Sequence, residues 1–453
     1  MSPRAEQSCL RCRRQKRKCD KILPICSLCK RLNKSCSHPD HPETPRLLPV
    51  PDLSDLTPSN IRYTLEAQVS SVIGDGLQLR EAAATYFRTV HTWLPAISET
   101  AYYAKLSRFR VEAAPSDVSV LTLCIFLVCA MPVNSDISLE TRRLYILIKS
   151  FIAMLEAVGM NSLAMLQGRL LLTTFEIGHA MYPSAYISAG ANIQAAVRLG
   201  ASAVTSRDLF KAFPDARLAA EARQTWQGIV ITNRYASLES NSGNSASLGR
   251  TTEMVWGNSG SEDLAQMNPF AKVAYSSLLL DQVLAHIHES KSQQLFNRIE
   301  AMQILNTVTS FLELFEGEGY ALQTISNSSL AICRSAMLEI LDFGSQVQQD
   351  DNEHCIQTSL NILTSLTHEI AHGASSVTAN SNPALLETLP VFIPHSIYKA
   401  AIVYLRDERI SGDIDKTLLI RPLKDILRYI GLRWGAAKYY SEQIEQEQKK
   451  LSL

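Results

Sequence analysis

Cys9-Leu-Arg-Cys12-Arg-Arg-Gln-Lys-Arg-Lys-Cys19-Asp-Lys-Ile-Leu-Pro24-Ile-Cys26-Ser-Leu-Cys29-Lys-Arg-Leu-Asn-Lys-Ser-Cys36 is the stretch on which the reading of this chain turns. The spacing Cys9-x2-Cys12-x6-Cys19 recurs unchanged as Cys26-x2-Cys29-x6-Cys36. Six of the ten cysteines fall between Cys9 and Cys36, which implies two copies of one small metal-binding half-module. Thiolates are soft ligands, and structural zinc prefers a closed tetrahedron of sulfur at about 2.3 Å. Two tetrahedral ions need eight ligand positions and six sulfurs are present, so two thiolates must bridge; one ion alone would strand two reactive thiols. The symmetry of the repeat nominates the leading cysteine of each half, Cys9 and Cys26, as the bridges.

Charge separates this stretch from the rest. Residues 1–36 hold 11 Lys/Arg against two acids, leaving 33 basic and 42 acidic residues for the remainder, so a net charge of zero divides into +9 and −9. Between Cys12 and Cys19 stand Arg13, Arg14, Gln15, Lys16, Arg17 and Lys18. Such a run costs repulsion unless anions offset it, and six thiolates with two Zn2+ offset only part of +9. A polyanionic partner is expected for the module, and a different task for the mildly acidic body. The chain reaches this cluster without an apolar stretch of secretory-signal length, so an intracellular protein with reduced cysteines is expected, and zinc is preferred to disulfides. With 46% hydrophobic and 19% charged residues the chain carries the material of folded domains and excludes global disorder.

The cysteine spacing, the basic run and Pro24 before the fourth cysteine together resemble the fungal zinc binuclear cluster (Zn2Cys6) family of transcription factors. The resemblance implies that a short helix after the second cysteine enters the major groove and that one lysine near its end, here Lys16, reads a CGG triplet. Lysine fits that role because its ammonium donates to the O6 and N7 acceptors of guanine. Arg13, Arg14, Arg17 and Lys18 are expected on phosphates, and Gln15 on a base or phosphate or facing solvent. The cluster also reads as a nuclear import signal. The expected protein is a nuclear regulator of RNA polymerase II genes, not an enzyme, which binds double-stranded DNA as a monomer or homodimer and engages coactivators. A pathway-specific role, with a secondary-metabolite gene cluster as target, fits the family and the compact length.

Beyond the DNA-binding module at 1–38, six prolines in residues 37–60 mark an extended linker, placed at 39–60. Ile61, Leu65, Val69, Val72 and Ile73 form one short helical stripe within 61–76, read as a short dimerisation helix although too brief for a coiled coil. From 77 to 453 apolar residues recur at three- and four-residue steps, as in Leu79, Ala83, Phe87, Val90 and Leu94, then Leu144, Leu147, Ile148, Phe151, Leu155 and Val158, then Ile299, Met302, Leu305 and Val308. The fold class expected is mostly all-α: a small zinc domain joined to a large helical regulatory body. Ser240–Glu262 is read as a flexible loop. Tyr86–Ile97, Tyr186–Gly200 and Glu221–Tyr235 resemble the fungal-specific transcription factor domain, or middle homology region, across 77–265. Gln224, Gln227 and Asn233 depart from its pattern, which puts any specific salt bridge of Arg223 or Arg234 in doubt.

One motif competes. His368-Glu369-Ile-Ala-His372 is a literal H-E-x-x-H, which on a helix sets two imidazoles on one face for zinc with the glutamate as base, and so reads as a metal-dependent hydrolase. Thr378 stands where the metzincin pattern would place its third histidine, and Glu387 and His395 are the remaining candidates for a third ligand. Phe311–Tyr320 reads as a helix end or an acidic activation segment. Cys124, Cys129, Cys333 and Cys355 read as buried apolar residues.

Overall fold

The computed structural model describes residues 4–5, 7–23, 25–32, 34, 36, 57–108, 114–133, 135–203, 205–239, 267–293, 297–315, 327–346, 353–379, 383–406 and 416–451. Most of the 39–60 linker and the whole of the 240–262 loop lie outside these residues, as does Tyr320 with the segment before it from 316. The described residues are all helical apart from turns and two isolated bridges, Arg4 with Ile22 and Val133 with Asp136. The zinc module contributes α1 (Leu10–Arg14) and α2 (Ser27–Arg31).

The body begins at α3 (Pro58–Val72), earlier than the periodicity alone suggests. Proline at the first helical position costs no intrahelical bond, and Thr57 caps the helix by accepting from the Asn60 N–H at 3.2 Å. Ile61, Leu65, Val69, Val72 and Ile73 are all buried in the body's core, where α3 packs on α6 (Ser116–Cys129) and α7 (Leu139–Ala157). The stripe read as a dimerisation helix is therefore spent inside the chain's own core. Asp75 and Gln78 form a reciprocal capping box that starts α4 (Gly76–Arg88), and α5 spans Glu99–Arg108.

At the centre of the first half lies α8 (Leu163–Gly178), buried at all but its first position because α6, α7, α9 (Ser184–Leu199) and α11 (Ala216–Ala236) surround it. Several of the polar groups this burial encloses are paired: Gln167 donates to the Ala96 carbonyl at 2.9 Å and to Glu221 at 2.8 Å, and Tyr145 and Lys149 both donate to Glu176. Gly200, at φ +80°, takes the left-handed conformation that closes α9, and α10 spans Ser206–Ala212.

In the second half α12 (Pro269–Gln293) lies against α11, α13 (Arg298–Glu313) and α14 (Ser328–Gln346), while α14 packs on α15 (Glu353–Ala379) and α17 (Ile393–Arg406). The short α16 (Pro383–Thr388) precedes α17, and α18 (Lys416–Gly431) and α19 (Gly435–Leu451) close the order. The buried face of α13 is Ala301, Leu305, Val308 and Phe311; Ile299 and Met302, grouped with it by periodicity, are exposed because they lie off that face. Phe311 and Phe315 are core residues, which ties the start of the proposed activation segment into the fold.

The turn between α18 and α19 joins the halves. Arg433 donates to the Val128 carbonyl at 2.8 Å and lies over the Trp434 ring, 3.8 Å from its centroid; Trp434 donates to the Leu389 carbonyl at 2.7 Å. The Gly435 N–H reaches His179 Nδ1 at 3.2 Å, and Lys438 pairs with Asp136. One continuous apolar core consequently runs from Ile61 to Ile444. No helix of the described residues is long and apolar enough to cross a membrane.

Candidate metal centre and nucleic-acid interface

The two half-modules fold alike because their sequences repeat. Cys9 and Cys26 occupy the N-cap positions of α1 and α2. Three backbone bonds of the first half then recur at the equivalent positions of the second: Arg13 N–H to Cys9 carbonyl and Lys30 to Cys26, Gln15 to Arg11 and Leu32 to Leu28, Arg17 to Cys12 and Lys34 to Cys29, all between 2.9 and 3.1 Å. These two turns place the sulfurs. Cys9, Cys12, Cys26, Cys29 and Cys36 are buried and Cys19 half-buried, with Ile25 and Leu28 the partly buried apolar side chains beside them.

Sulfur positions fit tetrahedral zinc. Sγ of Cys9 lies 3.9 Å from that of Cys26 and 3.8 Å from that of Cys29, and Cys12 lies 3.8 Å from Cys26. Four sulfurs each about 2.3 Å from one ion stand about 3.8 Å apart, whereas a disulfide needs about 2.05 Å. Two quartets bring all their sulfurs within 4.8 Å, Cys9-Cys12-Cys19-Cys26 and Cys9-Cys26-Cys29-Cys36, and they share Cys9 and Cys26. Cys12 and Cys29, which belong to different quartets, are themselves 4.0 Å apart, and among the described residues no His, Asp or Glu joins either group.

Burial, with nearby sulfurs opposing a further charge, pushes the Cys12, Cys29 and Cys36 thiols up, Cys29 to about 11. Burial acts against the charged forms of Cys9 and Cys26 too, yet N–H groups at Cys12 and Cys29 and the neighbouring thiols hold both below the usual thiol range. Six thiolates packed this closely repel one another and require cations to offset them.

The chain belongs to the fungal Zn(2)-Cys(6) binuclear cluster family. The model of that domain matches residues 7–45. The chain is 33% identical over 146 residues to Transcription factor BOA15 of Botryotinia fuckeliana (strain B05.10), an alignment covering 32% of this chain and 78% of that protein. A Zn(2)-Cys(6) cluster domain with this relative identifies a DNA-binding transcription factor whose cofactor is zinc, two ions in the six-cysteine cluster.

In this Zn(2)-Cys(6) module the basic residues stand outside the sulfur core: Arg13, Arg14, Gln15, Lys16, Arg17 and Lys18 are all exposed. The helix expected after the second cysteine starts earlier, at Leu10, so that Cys12 lies within it, and it ends at Arg14. Lys16 sits just beyond, in the left-handed region at φ +49°, its N–H bonded to the Arg13 carbonyl at 3.2 Å. Pro24 lies outside the described residues.

Sequence reasoning counted Asp20 only as a stray acid. Its carboxylate accepts the Ser27 N–H at 3.1 Å on both oxygens and the Ile22 N–H at 3.4 Å, joining the end of the first half to the start of α2. A hydrogen bond from the Ser27 side chain, and after it those from the Ser27 and Ile22 N–H groups, hold its carboxyl below the usual range. A lone acid beside Cys19 in a basic stretch was the available signal. The Ala5 N–H likewise bonds the Lys21 carbonyl at 2.8 Å, fastening the N-terminal arm to the same loop.

The rival motif lies on α15 as its pattern requires, but its groups are engaged elsewhere. Glu369 accepts from Arg334 of α14 at 2.5 Å, His368 meets the Tyr404 ring edge-on at 5.6 Å, and His372 faces solvent. Glu387 and His395 complete no ligand group with them among the described residues. Cys124, Cys129 and Cys333 have thiols pushed up by burial, Cys129 to about 11 and Cys333 to about 12, as suits apolar packing residues. Arg234 finds its carboxylate outside the resembling segment, in Asp281 of α12 at 3.6 Å.

Proposed function

We propose that this protein is a nuclear, pathway-specific regulator of RNA polymerase II genes that recognises CGG-type triplets, with Cys9 and Cys26 bridging the two zinc ions. The observation that carries base readout is Lys16, exposed on a left-handed turn directly beyond the zinc-held α1 and flanked by five further exposed polar or basic residues. A donor on a turn fixed by two metal sites reaches the O6 and N7 edge of guanine without ordering a loop first, so less entropy opposes the contact. Arg13, Arg14, Arg17 and Lys18, with Gln15 beside them, then fix register on phosphates and supply salt-dependent affinity. The basic cluster doubles as the nuclear import signal. The helical body serves as the regulatory domain and contacts coactivators, and a secondary-metabolite gene cluster is the proposed target class.

Selecting DNA from a random pool with the full-length, zinc-loaded protein tests this reading. Enrichment of CGG-like triplets that is lost in Lys16→Ala supports it. Two triplets at one spacing indicate a dimer assembled through the body, since the α3 stripe is buried, and one triplet indicates a monomer. Equal retention of every sequence, or enrichment unchanged in Lys16→Ala, overturns it.

A further inference from the structure

The 3-10 turn Ser237–Glu239 ends α11 with a carboxylate set among tyrosines. Glu239 Oε1 accepts from the Tyr440 hydroxyl of α19 at 2.5 Å. Tyr398 of α17 stacks on Tyr440 with ring centroids 4.7 Å apart, and Tyr439 stands 5.6 Å from it. Tyr186 of α9 and Tyr182, just before that helix, form a second pair at 4.9 Å. Burial first, and the charge of Glu239 after it, pushes up the hydroxyls of Tyr182, Tyr186, Tyr398 and Tyr439, so both ring groups lie within reach of one carboxylate. The cluster meets solvent: Tyr439 is 38% exposed, and Glu239, Tyr182, Tyr186 and Tyr398 are half-buried. Comparable carboxylates of the body hold a cation, Glu176 that of Lys149, Glu339 and Asp342 that of Lys399, and Glu447 that of Arg406. Glu239 has the Tyr440 hydroxyl, and no lysine, arginine or histidine within ion-pair distance among the described residues.

The chemistry of the cluster selects its occupant. An anion is repelled by Glu239, and a neutral apolar group would strip water from the carboxylate without replacing its hydrogen bonds. A cation gains from the carboxylate and from the negative faces of the rings together. Among cations, a quaternary ammonium has no proton to donate to Glu239, and a lysine ammonium is a compact, strongly hydrated charge that gives up water reluctantly beside phenol rings. A guanidinium is flat and weakly hydrated, stacks on aromatic faces and donates in-plane to a carboxylate, and so suits both parts of the site. We infer that Glu239 with Tyr186, Tyr398 and Tyr439 forms a docking point for an arginine side chain presented by a partner protein. Tyrosine and arginine are also the residues on which protein interfaces concentrate their binding energy. This inference rests on reading the helical body as a partner-binding domain, and binding is measured without DNA so that it and CGG recognition can fail separately.

The test is saturation-transfer difference NMR on the full-length, zinc-loaded protein, a method that reads weak binding to a large chain. The probes are N-acetyl-arginine methylamide, which mimics a residue within a chain, the equivalent capped lysine and capped citrulline, and free L-arginine. The expected result is saturation of the capped arginine, strongest at the δ-methylene beside the guanidinium, with weaker transfer to lysine and least to uncharged citrulline. An exposed ring contact is worth about two- to fivefold in affinity, which is the loss expected for Tyr439→Ala. Glu239→Gln keeps an acceptor for the Tyr440 hydroxyl and should remove the preference for arginine over citrulline, while far-UV circular dichroism of both variants stays unchanged. Four results would each overturn the proposal: no saturation of capped arginine by folded wild type, equal saturation of lysine or citrulline, a preference that survives Glu239→Gln, or free L-arginine binding about tenfold tighter than the capped residue, which would assign the site to a small molecule.

Discussion

Replacing Cys9 and replacing Cys12 by alanine should have different consequences, although both are buried thiols nine-tenths or more enclosed in one small core. Cys12 belongs to one sulfur quartet and Cys9 to both. A structural zinc ion contributes about 10–16 kcal/mol, so one of its four thiolates accounts for roughly 2.5–4 kcal/mol. Losing it weakens the ion by about two to three orders of magnitude. Cys12→Ala, and Cys29→Ala in the other quartet, should therefore weaken one ion each, whereas Cys9→Ala and Cys26→Ala should weaken both. The assay is zinc per chain by mass spectrometry after dialysis against a chelator that leaves the wild type at about two ions, as two quartets require. About one ion is expected for Cys12→Ala and Cys29→Ala, and close to none for Cys9→Ala and Cys26→Ala. Far-UV circular dichroism of the body should stay unchanged throughout, because its core from Ile61 to Ile444 is separate from the cysteine cluster. If Cys9→Ala retained as much zinc as Cys12→Ala, or Cys29→Ala lost both ions, the assignment of bridges would be wrong.

Lys18→Ala should lower affinity about equally for all sequences and reduce the slope of log affinity against log salt by about one, a titration that would contradict the phosphate role if base preference changed instead. Asp20→Ala frees the Ser27 N–H at the start of α2 and should destabilise the zinc module by about 1 kcal/mol, read as a lower midpoint of zinc-loaded thermal unfolding. Gly178→Ala would place a methyl group 2.7 Å from Trp434 Cζ3 inside the joint of the two halves, and denaturant unfolding should show a loss of about 1–3 kcal/mol. Burial, with the Arg433 charge adding, depresses His179 from 6.5 to about 3, so the unfolded chain takes up a proton below pH 6.5 that the folded protein refuses. Stability from this group is complete above pH 6.5 and should fall by about 1.4 kcal/mol per unit as pH drops towards 3, a dependence that His179→Gln should flatten in chemical denaturation across that range.

The zinc ligands, the pairing of the half-modules and the basic run were legible in the sequence because each depends on spacing along a short chain. Cys9 to Cys36 carry their own geometry: two short helical turns, one in each half of the repeat, set the sulfurs without help from elsewhere. The all-α class was legible for a similar reason, since helical periodicity is a local property. What periodicity could not say was which neighbour covers each stripe. Ile61 to Ile73 looked like a surface for a second chain and Ile299 with Met302 looked like core, because burial is a relation between distant elements. Only packing decided that α3 closes over α6 and α7, that Arg433 reaches Val128 across the fold, and that Glu369 of the H-E-x-x-H pattern is held by Arg334. The tyrosine cluster at Glu239 has the same origin. Tyr186, Tyr398 and Tyr439 lie on three different helices, far apart along the chain, and nothing short of the tertiary structure brings their rings to one carboxylate.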